Sequence, residues 1–382
     1  MEVSGSRLVM PARRTRLPQG ERMAQLRSVI TGTGSCIPPR NVPNDAFLDR
    51  DFFEGEGRPY PAGETARMVA KFQEITEIAE RRYVSEDRVA SDLAFEAAEK
   101  ALASAAIDPE TLDYIIVAHN FGDVTTGSRQ SDQVPTLAAR VKARLRIANP
   151  FCVAYDLPFG CPGWLQAVIQ ADYFLRSGDA KRALVIGAET LSRVSDPCDR
   201  DSLIYADGAG AVVLEAQAHD EPVGILSHAT RSDTLDHAGL LRMGRSFDLD
   251  RSDGQLYIKM QGRKLYEYAI ATVPGLVRLS LERAGLSLEQ VDKVLIHQAN
   301  GKMDEAILKR LFRLYGIAEL PKGVMPMTVA WLGNSSVATV PTLLDLVVRG
   351  QLEGHTLASG NIVVFASVGA GMSINSVIYR WP

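Results

Sequence analysis

Cysteine is scarce in this chain: four residues in 382, none of them in a C-x-x-C pair. That excludes a disulfide framework and points to a reducing compartment, with the cytoplasm as the expected location. The six histidines and four cysteines show no metal-ligand spacing, so no metal is expected. No uninterrupted apolar run reaches the ~18 residues of a membrane span. The net charge of −4 gives no overall attraction to nucleic acid or to an anionic membrane. Gly32-Thr-Gly34 and Asp207-Gly-Ala-Gly210 do not complete G-x-G-x-x-G ahead of a helix. They read as sites of close strand packing, not as a nucleotide cradle.

What remains is the composition of an ordinary globular protein, 46 % hydrophobic and 23 % charged, long enough for one or two domains with a large core. Residues 1–22 are polar and arginine-rich, without the apolar stretch of a secretory signal. Met23 follows, and residues 1–26 are expected to form a disordered N-terminal extension.

The chain then repeats itself. Leu102–Val117 matches Leu281–Ile296 without a gap. Each reads as a helix end, a short polar turn and a buried strand. A second correspondence follows. Cys161 begins a helix leading to the strand Arg182–Gly187, and Asn334 begins a helix over 335–348 leading to the strand Asn361–Phe365. Continuous apolar strands between helices predict sheets covered on both faces. Two copies predict an α/β protein of five layers, α/β/α/β/α, with halves at 27–218 and 219–382. The alternative is chance likeness between common βα units. In the duplicated arrangement Cys161 and Asn334 occupy equivalent helix N-termini facing a shared interface.

Cys161 lies in Asp156-Leu-Pro-Phe-Gly-Cys-Pro-Gly-Trp164. A thiol at a helix N-terminus faces unpaired backbone N–H groups and the positive end of the macrodipole, which favours the nucleophilic thiolate. Pro162 suits the first helical turn. Read alone, Cys161 is more often a buried structural cysteine. His297, at a strand end in His297-Gln-Ala-Asn300, is alone more often a satisfied structural histidine. Asn334, in Trp331-Leu-Gly-Asn-Ser-Ser336, is alone a plain helix cap.

In order and spacing, however, several segments resemble the thiolase superfamily, and most closely its β-ketoacyl-acyl-carrier-protein synthase III group. They are Ile30-Thr-Gly-Thr-Gly34, Thr76-Glu-Ile-Ala-Glu-Arg-Arg82, the Cys161 segment, Ser195-Asp-Pro-Cys-Asp-Arg200 and Ala206–Leu214. The last are His297-Gln-Ala-Asn300, Gly333-Asn-Ser-Ser336 and Ser367-Val-Gly-Ala-Gly371. The resemblance covers about residues 27–382. It implies the duplicated five-layer thiolase fold and a catalytic triad of Cys161, His297 and Asn334. It further implies an oxyanion hole from the backbone N–H groups of Cys161 and Ala370. The implied reaction is decarboxylative Claisen condensation of an acyl group held on Cys161 with a malonyl-type carrier thioester, an acyltransferase activity of fatty acid or specialised metabolite biosynthesis. No cofactor is implied beyond phosphopantetheine-carried substrates, on acyl carrier protein or coenzyme A.

Neighbouring groups fit less well. Thiolases carry a second cysteine where this chain has Ser367, plant-type polyketide synthases differ after the histidine, and non-catalytic chain-length partners lack the cysteine. The alternatives are a stand-alone synthase joining two β-ketoacyl chains, of the dialkylresorcinol or pyrone type, and an inert thiolase-fold scaffold.

The resemblance also assigns a pocket and partners. Arg200, Tyr205, Gly262, Arg263, Asn300, Val368 and Phe159 are expected to bind substrate. Where relatives stack a Trp and an Arg200-like guanidinium on the adenine of coenzyme A, this chain has Lys71, with Ile75 nearby. A missing planar ring implies that acyl-coenzyme A is the weaker donor. Lys71 either pairs with a phosphate or is a solvated lysine. Arg263 either points inward to bind an anion or is an ordinary surface arginine. Lys302, with Lys309, Arg310 and Arg313 on the same stretch, would steer an acidic acyl carrier protein; the alternative is a solvated helix face. A homodimer is expected, with the polar loop 119–133 at its interface and Val134 entering the partner's acyl pocket.

Overall fold

A computed structural model describes residues 25–128, 130–251 and 254–382. The expected extension therefore lies outside the described residues, except that Gln25 and Leu26 already open the first strand.

The first sheet has five strands: β1 (Gln25–Cys36), β2 (Tyr114–Ala118), β3 (Val153–Leu157), β4 (Arg182–Thr190) and β5 (Asp207–His219). Their spatial order is β1-β5-β4-β2-β3. The second sheet has β6 (Gly224–Ser232), β7 (Val291–Ile296), β8 (Ile362–Gly369) and β9 (Ser373–Arg380) in the order β6-β9-β8-β7. The two orders superimpose. β5 is antiparallel to both β1 and β4, and β9 is antiparallel to both β6 and β8. The β4–β2 and β8–β7 pairs are parallel. The first sheet adds only the outer parallel strand β3.

Helices complete the layers. α1 (Thr65–Thr76) stands apart beside the cavity described below. α2 (Ala90–Ala105) and α3 (Leu137–Arg144) cover the outer face of the first sheet through Leu93, Ala97 and Val141. α4 (Gly163–Ser177) lies between the sheets. α5 (Gly262–Ala284) and α6 (Gly301–Arg313) cover the outer face of the second sheet through Val273, Leu281 and Ile307. α7 (Thr339–Val348) joins α4 in the middle layer. Trp164, Val168, Leu343, Leu344, Val185 and Phe365 interdigitate there in one buried cluster. The fold is the five-layer duplicated thiolase arrangement.

The glycine pairs serve close approach between strand and helix, not between strands. A Cβ on Gly34 would lie 2.4 Å from the backbone nitrogen of Ala101 in α2. The repeated segment also repeats its turn. α2 ends on Ala106 and α5 on Gly285, both left-handed, at φ +52° and +68°. Glycine takes that cap without strain, whereas alanine carries a Cβ into it.

Three boundaries differ from expectation in ways that matter for the site. β4 continues to Thr190 and β8 to Gly369, past the predicted ends at 187 and 365, because both run on into partner strands. The α-helix expected from residue 335 starts at Thr339, after a 3-10 turn over Ser336–Ala338. Pro341 then sits in the first turn, where no N–H is needed. Among the described residues no helix is long and apolar enough to cross a membrane.

Candidate active site

A cavity of about 1090 Å³ opens where the ends of the two sheets meet. Cys161, His297 and Asn334 all line it, as do Ala370, Arg200, Tyr205, Gly262, Asn300 and Val368. The expected residues thus come together from positions as far apart as Cys161 and Ala370. Phe159 does not line the cavity and Lys302 is exposed on the first turn of α6. Arg263 lies at the rim, with 92 % of its side chain exposed and an ion pair to Glu267 at 3.0 Å. It takes the surface alternative.

Cys161 is set by tight local geometry. Gly160 takes φ +65°, and a Cβ there would lie 2.9 Å from the backbone nitrogen of Ala370. A Cβ on Gly369 would lie 2.5 Å from the backbone nitrogen of Cys161. Only glycine allows these two loops to approach so closely. Pro162 is the N-cap of α4, one position before the first turn expected for it, and its carbonyl accepts from Gln166 N–H at 2.9 Å.

The charge state expected for Cys161 is corrected. Burial pushes its thiol up to about 11, against a lowering by the Ser336 hydroxyl and by its own backbone N–H; the Glu189 carboxyl raises it further. Loss of solvation opposes the charged form that a helix terminus favours, and the effect of a terminus falls off within a turn. His297, 3 % exposed, is pushed down to about 4 by burial, with the Ser336 backbone pulling the other way. The ring is neutral near pH 7. It follows β7, where its N–H donates to Ala366 O at 2.8 Å, and its Nδ1 has no hydrogen-bond partner among the described residues.

Asn334 is locked on both backbone sides. Its N–H donates to Ile204 O at 3.0 Å, and its carbonyl accepts from Ala206 N–H at 2.8 Å. Its side-chain Oδ1 accepts from Ser336 N–H at 2.8 Å. The oxygen is thereby occupied, and the amide nitrogen keeps its donors. Asn300 is an N-cap, its Oδ1 accepting from Met303 N–H at 3.1 Å.

Ser336, which sequence reasoning passed over, is the common neighbour. Its hydroxyl donates to Cys161 Sγ at 3.3 Å, its N–H goes to Asn334, and its backbone meets His297. Tyr60 was also missed. It lines the cavity, and its hydroxyl accepts from Arg200 Nη1 at 3.0 Å. A planar ring therefore stands beside Arg200 after all, from a loop with no recognisable pattern, while Lys71 and Ile75 line the same cavity from α1. Val134 is 87 % exposed.

Comparison with known proteins fits this geometry. Family models described as 3-oxoacyl-[acyl-carrier-protein (ACP)] synthase III and its C-terminal part match residues 155–234 and 281–381. The β-ketoacyl-[acyl-carrier-protein] synthase III of Paracoccus denitrificans is 34 % identical over 366 residues, covering 93 % of this chain and 99 % of the relative. That of Ruegeria pomeroyi is 33 % identical with the same coverage. The crystal structure of the Aquifex aeolicus enzyme of that name superimposes with a TM-score of 0.73 at 28 % identity, over 93 % of this chain and 100 % of the other. The priming β-ketosynthase of the R1128 polyketide pathway gives 0.76 at 26 %, over 96 % and 99 %.

Proposed function

Because the chain belongs to the β-ketoacyl-[acyl-carrier-protein] synthase III family, we propose that it condenses an acyl thioester with a malonyl-type carrier thioester, with Cys161, His297 and Asn334 as the reacting triad. The observation that carries this reading is the meeting of those three side chains on one cavity wall, each touching Ser336.

The thiol of Cys161 attacks the acyl carbonyl. A sulfur–carbon bond forms, the carrier's carbon–sulfur bond breaks, and the proton of Cys161 leaves with the carrier thiol. Splitting one difficult transfer into two is the gain from a covalent intermediate. Backbone N–H groups of Cys161 and Ala370 hold the tetrahedral oxyanion. The malonyl thioester then loses carbon dioxide, and the electron pair of the broken carbon–carbon bond becomes an enolate. His297 and the Asn334 amide donate to the enolate oxygen. As neutral donors in a dry site they suit a charge that exists only transiently, and each is worth roughly 2–4 kcal/mol by the measured cost of removing one such donor. The enolate carbon attacks the acyl-Cys161 carbonyl, a carbon–carbon bond forms, and the thiolate departs and recovers a proton.

The cavity volume is at the upper end of usual ligand pockets, and Met68, Phe72, Met260 and Leu265 give it apolar walls. That favours a long acyl chain. Acyl carrier protein is the partner, steered by Lys302. Residues 27–218 and 219–382 act as the two duplicated halves of a homodimer subunit, with Val134 of each subunit entering the other's acyl pocket. The test is to incubate the protein with acyl-coenzyme A, acyl-carrier protein and malonyl-carrier protein, and to follow Cys161 and the products by mass spectrometry. Acyl-Cys161 followed by a β-ketoacyl product supports the reading. A product built from two β-ketoacyl chains selects the joining reaction instead, and no acylation of Cys161 defeats both.

A further inference from the structure

Three polar side chains outside the expected triad converge behind Cys161. Glu189, near the end of β4, is 1 % exposed. One hydrogen of the Asn120 side-chain amide bonds Glu189 Oε1, and the Asn120 backbone N–H reaches the same carboxyl. The other amide hydrogen reaches Ser336 Oγ at 3.1 Å, and Ser336 Oγ lies 3.3 Å from Cys161 Sγ.

The direction of this chain follows from the chemistry of its members. An amide nitrogen only donates. The Ser336 hydroxyl must therefore accept from Asn120, which leaves its single proton for the sulfur. Glu189 fixes which end of the amide faces Ser336. Were the amide turned over, its oxygen would draw the hydroxyl proton away from Cys161. Ser336 also holds φ +53°, a conformation that a non-glycine residue keeps only where its surroundings impose it; here the Asn334 bond does so.

We propose that Glu189 and Asn120 are positioning residues that aim the Ser336 hydroxyl proton at the sulfur of Cys161 and so favour its nucleophilic form. This rests on Cys161 being the nucleophile. Unaided, the site opposes that form, since burial raises the thiol. The titratable groups facing the sulfur are Glu189 from β4, Tyr205 ahead of β5 and His297 after β7. Burial pushes Glu189 up to about 8, so near neutral pH it is mostly uncharged and clamps Asn120 with little of the repulsion that its ionised form exerts on the sulfur at higher pH.

The experiment is the rate of iodoacetamide alkylation of Cys161 in the full chain, read by peptide mass from pH 6 to 12. Ser336→Gly suits the left-handed backbone and removes the hydroxyl together with its Cβ. Asn120→Asp replaces the donor by an acceptor. Each should slow alkylation near neutral pH by about tenfold and move its midpoint up by about one pH unit, the size expected for one hydrogen bond to a charged group. Near neutral pH, where Glu189 is mostly protonated, Glu189→Ala should slow alkylation too, with Glu189→Gln, which keeps an acceptor oxygen, retaining more of the rate. A merely structural role would lower the melting temperature and leave the midpoint in place. Selective labelling of Cys161 with parental profiles for Ser336→Gly and Asn120→Asp overturns the relay alone. No preference for Cys161 over the other thiols overturns the nucleophile reading and the relay with it.

Discussion

The two equivalent helix starts in the middle layer have diverged in kind. The one before α4 carries the thiol of Cys161, packed under Gly160 and Gly369. The one before α7 carries no thiol. It opens in a 3-10 turn whose Asn334 and Ser336 supply hydrogen-bond donors and hold each other in place. A duplicated framework thus supplies two similar ends facing one cavity, and side chains divide the labour: sulfur from one half, donors from the other. The difference in local structure has a direct cause. α4 needs only to present a backbone N–H and a thiol, whereas the α7 start must bend to turn the Ser336 hydroxyl back across the interface.

Changes at the two ends should therefore fail differently. On the first, Cys161→Ala should lower condensation by at least about a thousandfold, as removal of a covalent nucleophile does; product formation from malonyl-carrier protein checks it. Gly369→Ala, at the end of β8, should cost about a hundredfold in acylation rate, the scale of one oxyanion donor, because its Cβ would intrude on the Cys161 backbone nitrogen. On the second end, Asn334→Ala should reduce malonyl decarboxylation and condensation by about 10²-fold or more while Cys161 still acquires an acyl group. Equal loss of both steps would erase the division of labour.

Smaller effects sharpen the contrast. Burial raises Glu189 in the folded state, to about 8, above its ordinary value near 4.5. The native state therefore keeps a proton that the unfolded chain releases, and the stability associated with this group falls as pH rises from about 4.5 through 8. Glu189→Gln should flatten that part of the melting-temperature profile. His297 has the opposite sense. Its folded value near 4 lies below the ordinary 6.5, so stability is lost as pH falls through that window. The smallest change expected is for Tyr60→Ala, beside Arg200. A stacking partner worth ~1–3 kcal/mol should weaken acyl-coenzyme A loading several-fold or more and leave carrier-bound acyl groups unaffected. Unchanged acyl-coenzyme A loading in Tyr60→Ala would show that Tyr60 does not supply the ring absent at Lys71.

Much of this was legible in the sequence, and the remainder was hidden for identifiable reasons. The apolar strands, the amphipathic helices and the matched segments at 102–117 and 281–296 reveal themselves through local periodicity. Cys161, His297 and Asn334 stand in short motifs at element ends. Glu189 was invisible because the predicted strand stopped at Gly187, and only pairing with β5 carries it two residues farther, beside Asn120. Ser336 and Tyr60 acquire their roles through contacts across 175 and 140 positions, which no window along the chain can show. The thiolate expectation erred because a helix end is a local feature, whereas desolvation depends on everything packed around the sulfur.

The most direct test is peptide-resolved mass spectrometry of the parent protein after brief exposure to an acyl thioester, with malonyl-carrier protein added second. One acyl group on the peptide containing Cys161, discharged only when malonyl donor is supplied, is the predicted result. Acylation at Cys36, Cys152 or Cys198 instead, or discharge in Asn334→Ala as fast as in the parent, would contradict the account.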